Sequence, residues 1–211
     1  MKMANSVTSR HSSTQHVASE RCPAAILFAR LRNFTRMSEM FDPQTVVRLV
    51  GEFYSLTSRI ARSHDGEVVE MHNDSLMATF RAGRPDQDAV QAVGSALELQ
   101  VEVGALAESW EQSYGLHIAI GLGLHLGETV FGVTGPEDEA RFVAFGDAVS
   151  IAERLVHRAR AGEFVMSDAV FTALEGSDLD MDVKPLPALE LARRPPIRLY
   201  GVLLDTRLDF T

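Results

Sequence analysis

The sequence has few of the residues that extracellular and nucleic-acid-binding proteins use most. Among its 211 residues there is one cysteine, Cys22. This excludes an intramolecular disulfide and a cysteine-based metal cage, and it fits a reducing compartment. Basic residues are also scarce, with 20 Lys+Arg against 29 Asp+Glu and a formal charge of -9. Because Lys and Arg supply most of the binding to a phosphate backbone, we expect no nucleic-acid partner.

Long apolar runs are missing as well. The stretch before Cys22 lacks the apolar core of a secretory signal. The least polar window, 116–135, is interrupted by His117, His125 and Glu128, so no segment has the roughly 20 uncharged apolar residues that a membrane span needs. We therefore expect a cytoplasmic protein with no membrane partner.

Two common nucleotide-binding motifs are absent too. Gly121, Gly123 and Gly127 do not form a G-x-G-x-x-G fingerprint, because Leu126 stands where the third glycine is required and no helix start follows. The sequence also lacks the P-loop pattern G-x-x-x-x-G-K-[ST]. These absences exclude the two most common phosphate-binding glycine loops.

The residues that are present predict a folded chain. Hydrophobic residues make up 45% of the sequence, and a chain of this length buries most of the surface that it would expose when unfolded. Residues 1–22 are polar and without periodicity, which predicts a flexible tail. We predict one domain over residues 23–205 and a short C-terminal tail over 206–211.

Apolar runs and amphipathic segments alternate within the predicted domain. Asp42-Pro43 is typical of a helix N-terminus, and Asn73-Asp74 between two apolar runs predicts a tight hairpin. Strands are predicted at 24–29, 67–72, 75–80, 116–132, 142–145, 164–166 and 197–204. Helices are predicted from 43 to a glycine stop near 65–66, from 88 to about 110, from 147 to about 160 and from 168 to 174. This order predicts an α+β fold with helices packed on one mixed sheet.

One predicted helix carries a pair of polar side chains that are able to bind a ligand. Ser150 and Arg154 are four residues apart and therefore share a helix face. A hydroxyl and a guanidinium on one stripe are able to hold a phosphate or a sugar oxygen. An exposed polar face without a ligand is the alternative interpretation.

Several ordered sequence blocks resemble one enzyme family. The blocks are Leu27-Phe28-Ala29-x-Leu31-Arg32-x-Phe34-Thr35, Asp42-Pro43, Asp74-x-Leu76-Met77-Ala78-x-Phe80, Gly123-x-His125-x-Gly127-Glu128, Gly146-Asp147-Ala148-Val149, Ala152-x-Arg154-Leu155 and Pro196-Ile197-Arg198-Leu199-Tyr200. Over about residues 23–204 the chain resembles the catalytic domain of class III nucleotidyl cyclases, the adenylate and guanylate cyclases. The resemblance implies a ferredoxin-like core, a head-to-tail dimer, and nucleoside triphosphate sites at the dimer interface that use two Mg²⁺ or Mn²⁺ ions.

The resemblance also assigns positions at the metal and phosphate sites. The first metal-binding aspartate of the family falls at Arg30, which cannot ligate Mg²⁺, and the second falls at Asp74. The turn that holds the terminal phosphates opens at Phe34 and Thr35, with Asn33 in place of the family's glycine. We further expect Arg30 and Asp74 to form an ion pair across adjacent strands.

The positions that come from the partner chain are altered as well. The two base-reading positions fall at Glu70, which suits guanine, and Val143, which makes no hydrogen bond. The asparagine that stabilises the transition state falls at Ser150, and the arginine with the same role is retained as Arg154. The sequence is thus degenerate at its metal and base-reading positions.

Three functions are compatible with a ferredoxin-like sheet. The first is a pseudo-cyclase that acts as a nucleotide-binding, regulatory or dimerisation module in cyclic-nucleotide signalling and needs no cofactor. The second is an active cyclase, alone or as half of a heterodimer, with Mg²⁺ or Mn²⁺. The third, an RNA-binding module, needs exposed aromatic and basic residues, and the acidic composition disfavours it.

Overall fold

The computed structural model describes residues 19–136, 138–177, 179 and 181–203. The predicted C-terminal tail and most of the predicted N-terminal tail lie outside these residues. The described elements are β1 (Glu20–Arg32), α1 (Phe34–Met40), α2 (Pro43–Ser63), β2 (Glu67–His72), β3 (Ser75–Phe80), α3 (Pro85–Tyr114), β4 (Ala119–Thr134), β5 (Arg141–Phe145), α4 (Asp147–Arg158), β6 (Glu163–Ser167), α5 (Asp168–Ala173), β7 (Val183–Leu189) and β8 (Ile197–Leu203). None of the helices in this part of the chain is long and apolar enough to cross a membrane.

The strands form one mixed sheet, which confirms the predicted α+β class. Their order is β2-β3-β1-β4-β6-β8-β7, and β5 pairs with the far half of β4. The first four strands of this order have the antiparallel arrangement of a ferredoxin-like β-α-β-β-α-β unit. The later strands extend the unit through a parallel pairing of β6 with β4.

Strand β1 runs through the centre of the sheet, and its alternating side chains divide the interior into two cores. On one face, Ala25, Leu27 and Leu31 join the larger core beneath α2 and α3. On the other face, Ile26 and Phe28 join a smaller core beneath α4. Because both faces are covered, the strand is a continuous apolar run.

Helix α4 lies close against β4 because β4 presents little side-chain bulk to it. The residues of β4 on this face are Gly121, Gly123, His125 and Gly127. A Cβ at Gly123 would lie 2.7 Å from the carbonyl oxygen of Ala152 and 2.8 Å from the carbonyl carbon of Leu155 in α4. Only glycine permits this approach of the two backbones.

The predicted start of α2 is confirmed, and its end differs in detail. The Asp42 side chain accepts hydrogen bonds from the backbone N–H groups of Gln44 and Thr45, as an N-cap does. At the other end the left-handed residue is Asp65, with φ 60°, and not the expected glycine. Gly66 is needed for space, since a Cβ there would lie 2.6 Å from the Phe80 ring.

Two elements were not predicted. Helix α1 has seven residues, of which only Met37 is buried, so it lacks the periodic apolar stripe of a longer helix. Strand β7 contains Pro185 and Pro187 and lies at the edge of the described sheet, where it pairs with β8. Proline argues against a central strand but is tolerated at an edge, where the missing N–H has no partner to lose.

Candidate functional site

The hairpin turn between β2 and β3 positions Asp74. Asn73 has φ 50°, a left-handed conformation that asparagine tolerates. The Tyr54 hydroxyl of α2 donates to the Asn73 carbonyl at 2.9 Å, and the Leu31 N–H donates to the Asp74 carbonyl at 2.8 Å. These two bonds fix the Asp74 backbone beside the end of β1.

Arg30 forms the expected ion pair with Asp74. Arg30 lies opposite Ser75 on β3 and Gly121 on β4. Its Nε donates to Asp74 Oδ2 at 2.7 Å, and the two side chains are 28% and 16% exposed. A second guanidinium nitrogen, Nη1, contacts His157 Nδ1 of α4 at 2.5 Å. The guanidinium is therefore held between the hairpin turn and α4.

Arg32, two residues further along the same face, binds the C-terminal end of α4. Its Nη2 donates to the carbonyl of Val156 at 2.8 Å and also to the carbonyl of Ala159. Burial lowers the pKa of Arg32 from its usual value. The contact satisfies carbonyls that have no partner within the helix and places a positive charge at the negative end of the helix dipole.

The turn from β1 into α1 borders a cavity. Asn33 has φ 64° and ψ 23°, so this residue adopts the left-handed conformation that glycine would adopt readily. The cavity has a volume of about 420 Å³ and is lined by residues 30–36, Glu39 and Asp74; we call it the β1–α1 cavity. Both predicted phosphate-binding residues, Phe34 and Thr35, belong to its wall.

The predicted transition-state residues lie apart from this cavity wall, on the outer face of α4. Ser150 and Arg154 are both exposed, and they share a stripe with Asp147 and His157. Arg194 donates to both carboxylate oxygens of Asp147. This hydrogen bonding is the main reason that the pKa of Asp147 is lowered.

The two predicted base-reading residues lie on different strands. Glu70 is exposed on β2, opposite Met77 of β3. Val143 is partly buried on β5, opposite Gly132 of β4. Strands β2 and β5 contact each other. The two strands that carry the predicted base-reading residues are therefore neighbours in the structure.

A buried histidine lies behind α4. His125 is 9% exposed, and its Nδ1 is 2.7 Å from the Ser167 hydroxyl. Burial lowers its pKa to about 4, against the opposing influence of the Asp147 carboxylate. The neutral imidazole is thus the form that the fold accommodates.

The donor set around Asp74 does not fit a divalent cation. A metal ion of this kind needs several oxygen ligands, whereas the nearest partner of Asp74 is a guanidinium, which has only N–H donors and a fixed charge. The described residues contain no group of three or more His, Cys, Asp or Glu side chains that could hold a metal ion.

The sequence reasoning did not find His157 or the role of Arg32. His157 lies three residues after Arg154 and seven after Ser150, so helical periodicity alone could have placed it on the same stripe. The bond from Arg32 to the end of α4 depends on how the helix crosses the sheet. No local pattern in the sequence carries that information.

Comparison with known proteins identifies the family. The sequence model described as "Adenylate and Guanylate cyclase catalytic domain" matches residues 17–200. The chain therefore belongs to the family of adenylate and guanylate cyclase catalytic domains. Adenylate cyclase 1 of Rhizobium meliloti is 30% identical over 130 residues, which cover 61% of this chain and 20% of that protein.

Solved structures share the fold. The adenylyl cyclase CyaB from P. aeruginosa has a TM-score of 0.81 and 22% identity, over 92% of this chain and all of that chain. The guanylate cyclase domain of RhGC from Catenaria anguillulae, solved with GTP, has a TM-score of 0.74 and 22% identity, over 87% of this chain and 97% of that chain. The present chain spans a third or less of the length of the curated relatives it matches.

Proposed function

We propose that this chain is a pseudo-cyclase, a cyclase-family domain that does not cyclise nucleotides by itself and acts as a nucleotide-binding, regulatory or dimerisation module. The ion pair between Arg30 and Asp74 carries this proposal. It occupies the carboxylate that the family resemblance assigns to metal binding and places a fixed positive charge beside it. Cyclic-nucleotide signalling in the cytoplasm is the expected setting.

Changes at the other family positions support the proposal. Ser150 is shorter than the asparagine it replaces, and Val143 offers no hydrogen bond to a base. Loss of one preorganised electrostatic contact commonly lowers a rate by about 10²- to 10³-fold. A repulsive charge at a metal position is worse than a missing ligand, since the ion then binds against Coulomb repulsion at short range.

The proposal includes a dimer, because the family resemblance divides each nucleotide site between two chains. Ser150 and Arg154 lie exposed on α4, where a partner chain could meet them. Glu70 is likewise exposed on β2. Multi-angle light scattering at micromolar concentration should show a dimer, and a monomer would remove the basis for a shared site.

An active heterodimer is the second candidate. Arg154, the retained transition-state arginine, is exposed and makes no ion pair or hydrogen bond with the side chains that the structure describes. It is therefore free to serve a site whose metal-binding carboxylates come from a complete cyclase chain. Mg²⁺ or Mn²⁺ would then be held by the partner chain.

The test is cyclic-nucleotide formation by purified protein from ATP, GTP, CTP and UTP with Mn²⁺. Wild-type protein should be silent, and turnover by the wild type would refute the proposal. The variants Arg30→Asp and Arg30→Asp with Ser150→Asn measure how much of the defect lies at these two positions. Mixing with a cyclase encoded nearby tests the heterodimer, and Arg154→Ala should abolish any activity that appears only on mixing.

A further inference from the structure

We propose that the β1–α1 cavity binds the triphosphate of a nucleotide without a metal ion, with the Arg30 guanidinium in the place of the cation. This inference rests on the proposed function and specifies the form in which its ligand binds. It concerns the charge state of the ligand, a metal-free polyphosphate, and not the identity of the base.

The first step of the argument is the anchoring of Arg30. A guanidinium has five N–H donors. Two of its nitrogens are engaged, Nε with Asp74 and Nη1 with His157, which leaves three N–H groups. Because the guanidinium is held on two sides, these donors are preorganised, and little rotamer entropy remains to be lost when an anion binds.

The second step is the charge of the cavity wall. Arg30, Arg32 and Arg36 line it with two carboxylates, Glu39 and Asp74. This wall carries an excess of one positive charge in a chain whose net charge is -9. Arginine is the side chain best suited to phosphate oxygens, and it does not deprotonate in proteins. The cavity therefore has a permanent cation of its own.

The third step is the effect of a divalent ion. The metal would have to bind within a few ångströms of the Arg30 guanidinium, and Asp74, the carboxylate beside that guanidinium, is already paired with it. It would also neutralise the phosphate oxygens that the guanidinium attracts. Metal should thus leave the affinity of a triphosphate unchanged or lower it, whereas a metal-dependent site requires the opposite.

The size of the cavity is adequate for such a ligand. Its volume of about 420 Å³ falls within the range of roughly 300–1,000 Å³ that is typical of small-molecule sites. The side chains that line it come mainly from one continuous segment, residues 30–36. The cavity therefore exists within a single chain and does not depend on the dimer.

Isothermal titration calorimetry with inorganic tripolyphosphate and with GTP tests the inference. The buffer is freed of metal with a chelating resin, so that no anionic chelator competes for the cavity, and the titration is repeated with Mg²⁺ in excess in both cell and syringe. We expect binding in the metal-free buffer at an affinity equal to or higher than that with Mg²⁺. Loss of a charge-assisted hydrogen bond in Arg30→Gln should weaken metal-free binding by about 10- to 100-fold.

Two further variants keep the test independent of folding. Arg36→Gln removes an exposed charge from the same wall and should weaken metal-free binding by about 3- to 10-fold. Arg59→Gln removes an exposed arginine of α2 outside the cavity and should leave binding unchanged. Circular dichroism and thermal unfolding show that each variant is folded.

The outcomes separate this inference from the proposed function. Binding that requires Mg²⁺, no binding in either buffer, or equal weakening by Arg36→Gln and Arg59→Gln would each overturn the metal-free site while leaving a pseudo-cyclase in place. Cyclic-nucleotide formation by the wild type would refute the proposed function itself. If the wild type forms no cyclic nucleotide and binds the polyphosphate without metal, both the proposed function and the metal-free site are supported.

Discussion

The two faces of strand β1 end very differently. On the face beneath α2 and α3 the buried apolar series continues to Leu31, the penultimate residue of the strand. On the face beneath α4 the buried apolar series ends at Phe28, and the next two residues on that face are Arg30 and Arg32. The difference indicates that the first face provides stability, while the second gives up apolar packing at the place where a ligand could bind.

The α4 face replaces apolar packing with arginine contacts at both ends of the helix. Arg194 binds Asp147 in the first turn, and Arg32 binds the carbonyls after the last turn. Arg194 thus opposes the negative charge of the Asp147 side chain, and Arg32 opposes the negative end of the helix dipole. The comparison between the two faces yields three predictions, given from the largest expected effect to the smallest.

Replacing Gly123 by alanine should cause the largest loss of stability. A Cβ would enter the backbone of α4 near Ala152 and Leu155, and backbone atoms cannot move aside as a side-chain tip can. Urea unfolding should show a loss of about 3 kcal/mol or more. The matched control is Gly51→Ala in α2, where no described atom outside the adjoining residues and the local helix backbone lies within 4 Å of the new Cβ.

The control should change in the opposite direction. Alanine in a helix interior is favoured over glycine by about 1 kcal/mol, so Gly51→Ala should raise the unfolding midpoint. If both variants lost stability equally, the close packing of α4 on β4 would not be the cause.

Acidification should destabilise the α4 face through His125. Burial lowers the folded-state pKa of this histidine to about 4, from 6.5, so the unfolded chain binds the proton more readily. The stability that the neutral His125 contributes is fully present above pH 6.5 and is lost as the pH falls towards 4. The free energy of unfolding should fall by at most about 3 kcal/mol over this range. Urea unfolding at a series of pH values in this window measures the slope.

A His125→Gln variant isolates this contribution. Glutamine keeps a polar group near Ser167 and does not titrate, so the variant's stability should depend less on pH between 6.5 and 4. Parallel stability curves for variant and wild type would show that other groups cause the acid sensitivity.

The ion pair at the end of β1 should give the smallest of the three effects. A double-mutant cycle with Arg30→Gln and Asp74→Asn should give a coupling free energy of about 1–2 kcal/mol, since the pair is mostly buried. Arg48–Glu52 is the matched exposed pair, with side chains 49% and 40% exposed, and should give about 0.3–0.5 kcal/mol. Equal couplings would mean that partial burial does not strengthen the Arg30 pair.

Most of the fold could be predicted from local signals. The Asp42 cap, the turn at Asn73 and the long apolar runs mark their elements directly, because each depends on neighbours in sequence. Helix α3 is longer than predicted at both ends, since the polar residues of its first and last turns carry no apolar periodicity. Strand β7 exists because β8 offers it an edge, which no pattern within the strand reveals.

The candidate site was predicted in part. The Arg30–Asp74 pair was predicted from the sequence, because the two positions were expected to face each other across adjacent strands. It did not predict that His157 holds the guanidinium from the other side, since this contact joins residues 127 positions apart. Long-range contacts of this kind depend on the docking of α4, which the glycines of β4 permit.

The central pairing of the sheet also bears on how the chain folds. Strands β1 and β4 pair along the whole length of β1, yet the paired residues lie about a hundred positions apart in the sequence. The hairpin of β2 and β3 is able to form early, whereas β1 gains its second neighbour only after β4 has been synthesised. Long loops of this kind slow folding, so we expect refolding on a timescale of milliseconds to seconds, limited by the closure of β1 on β4.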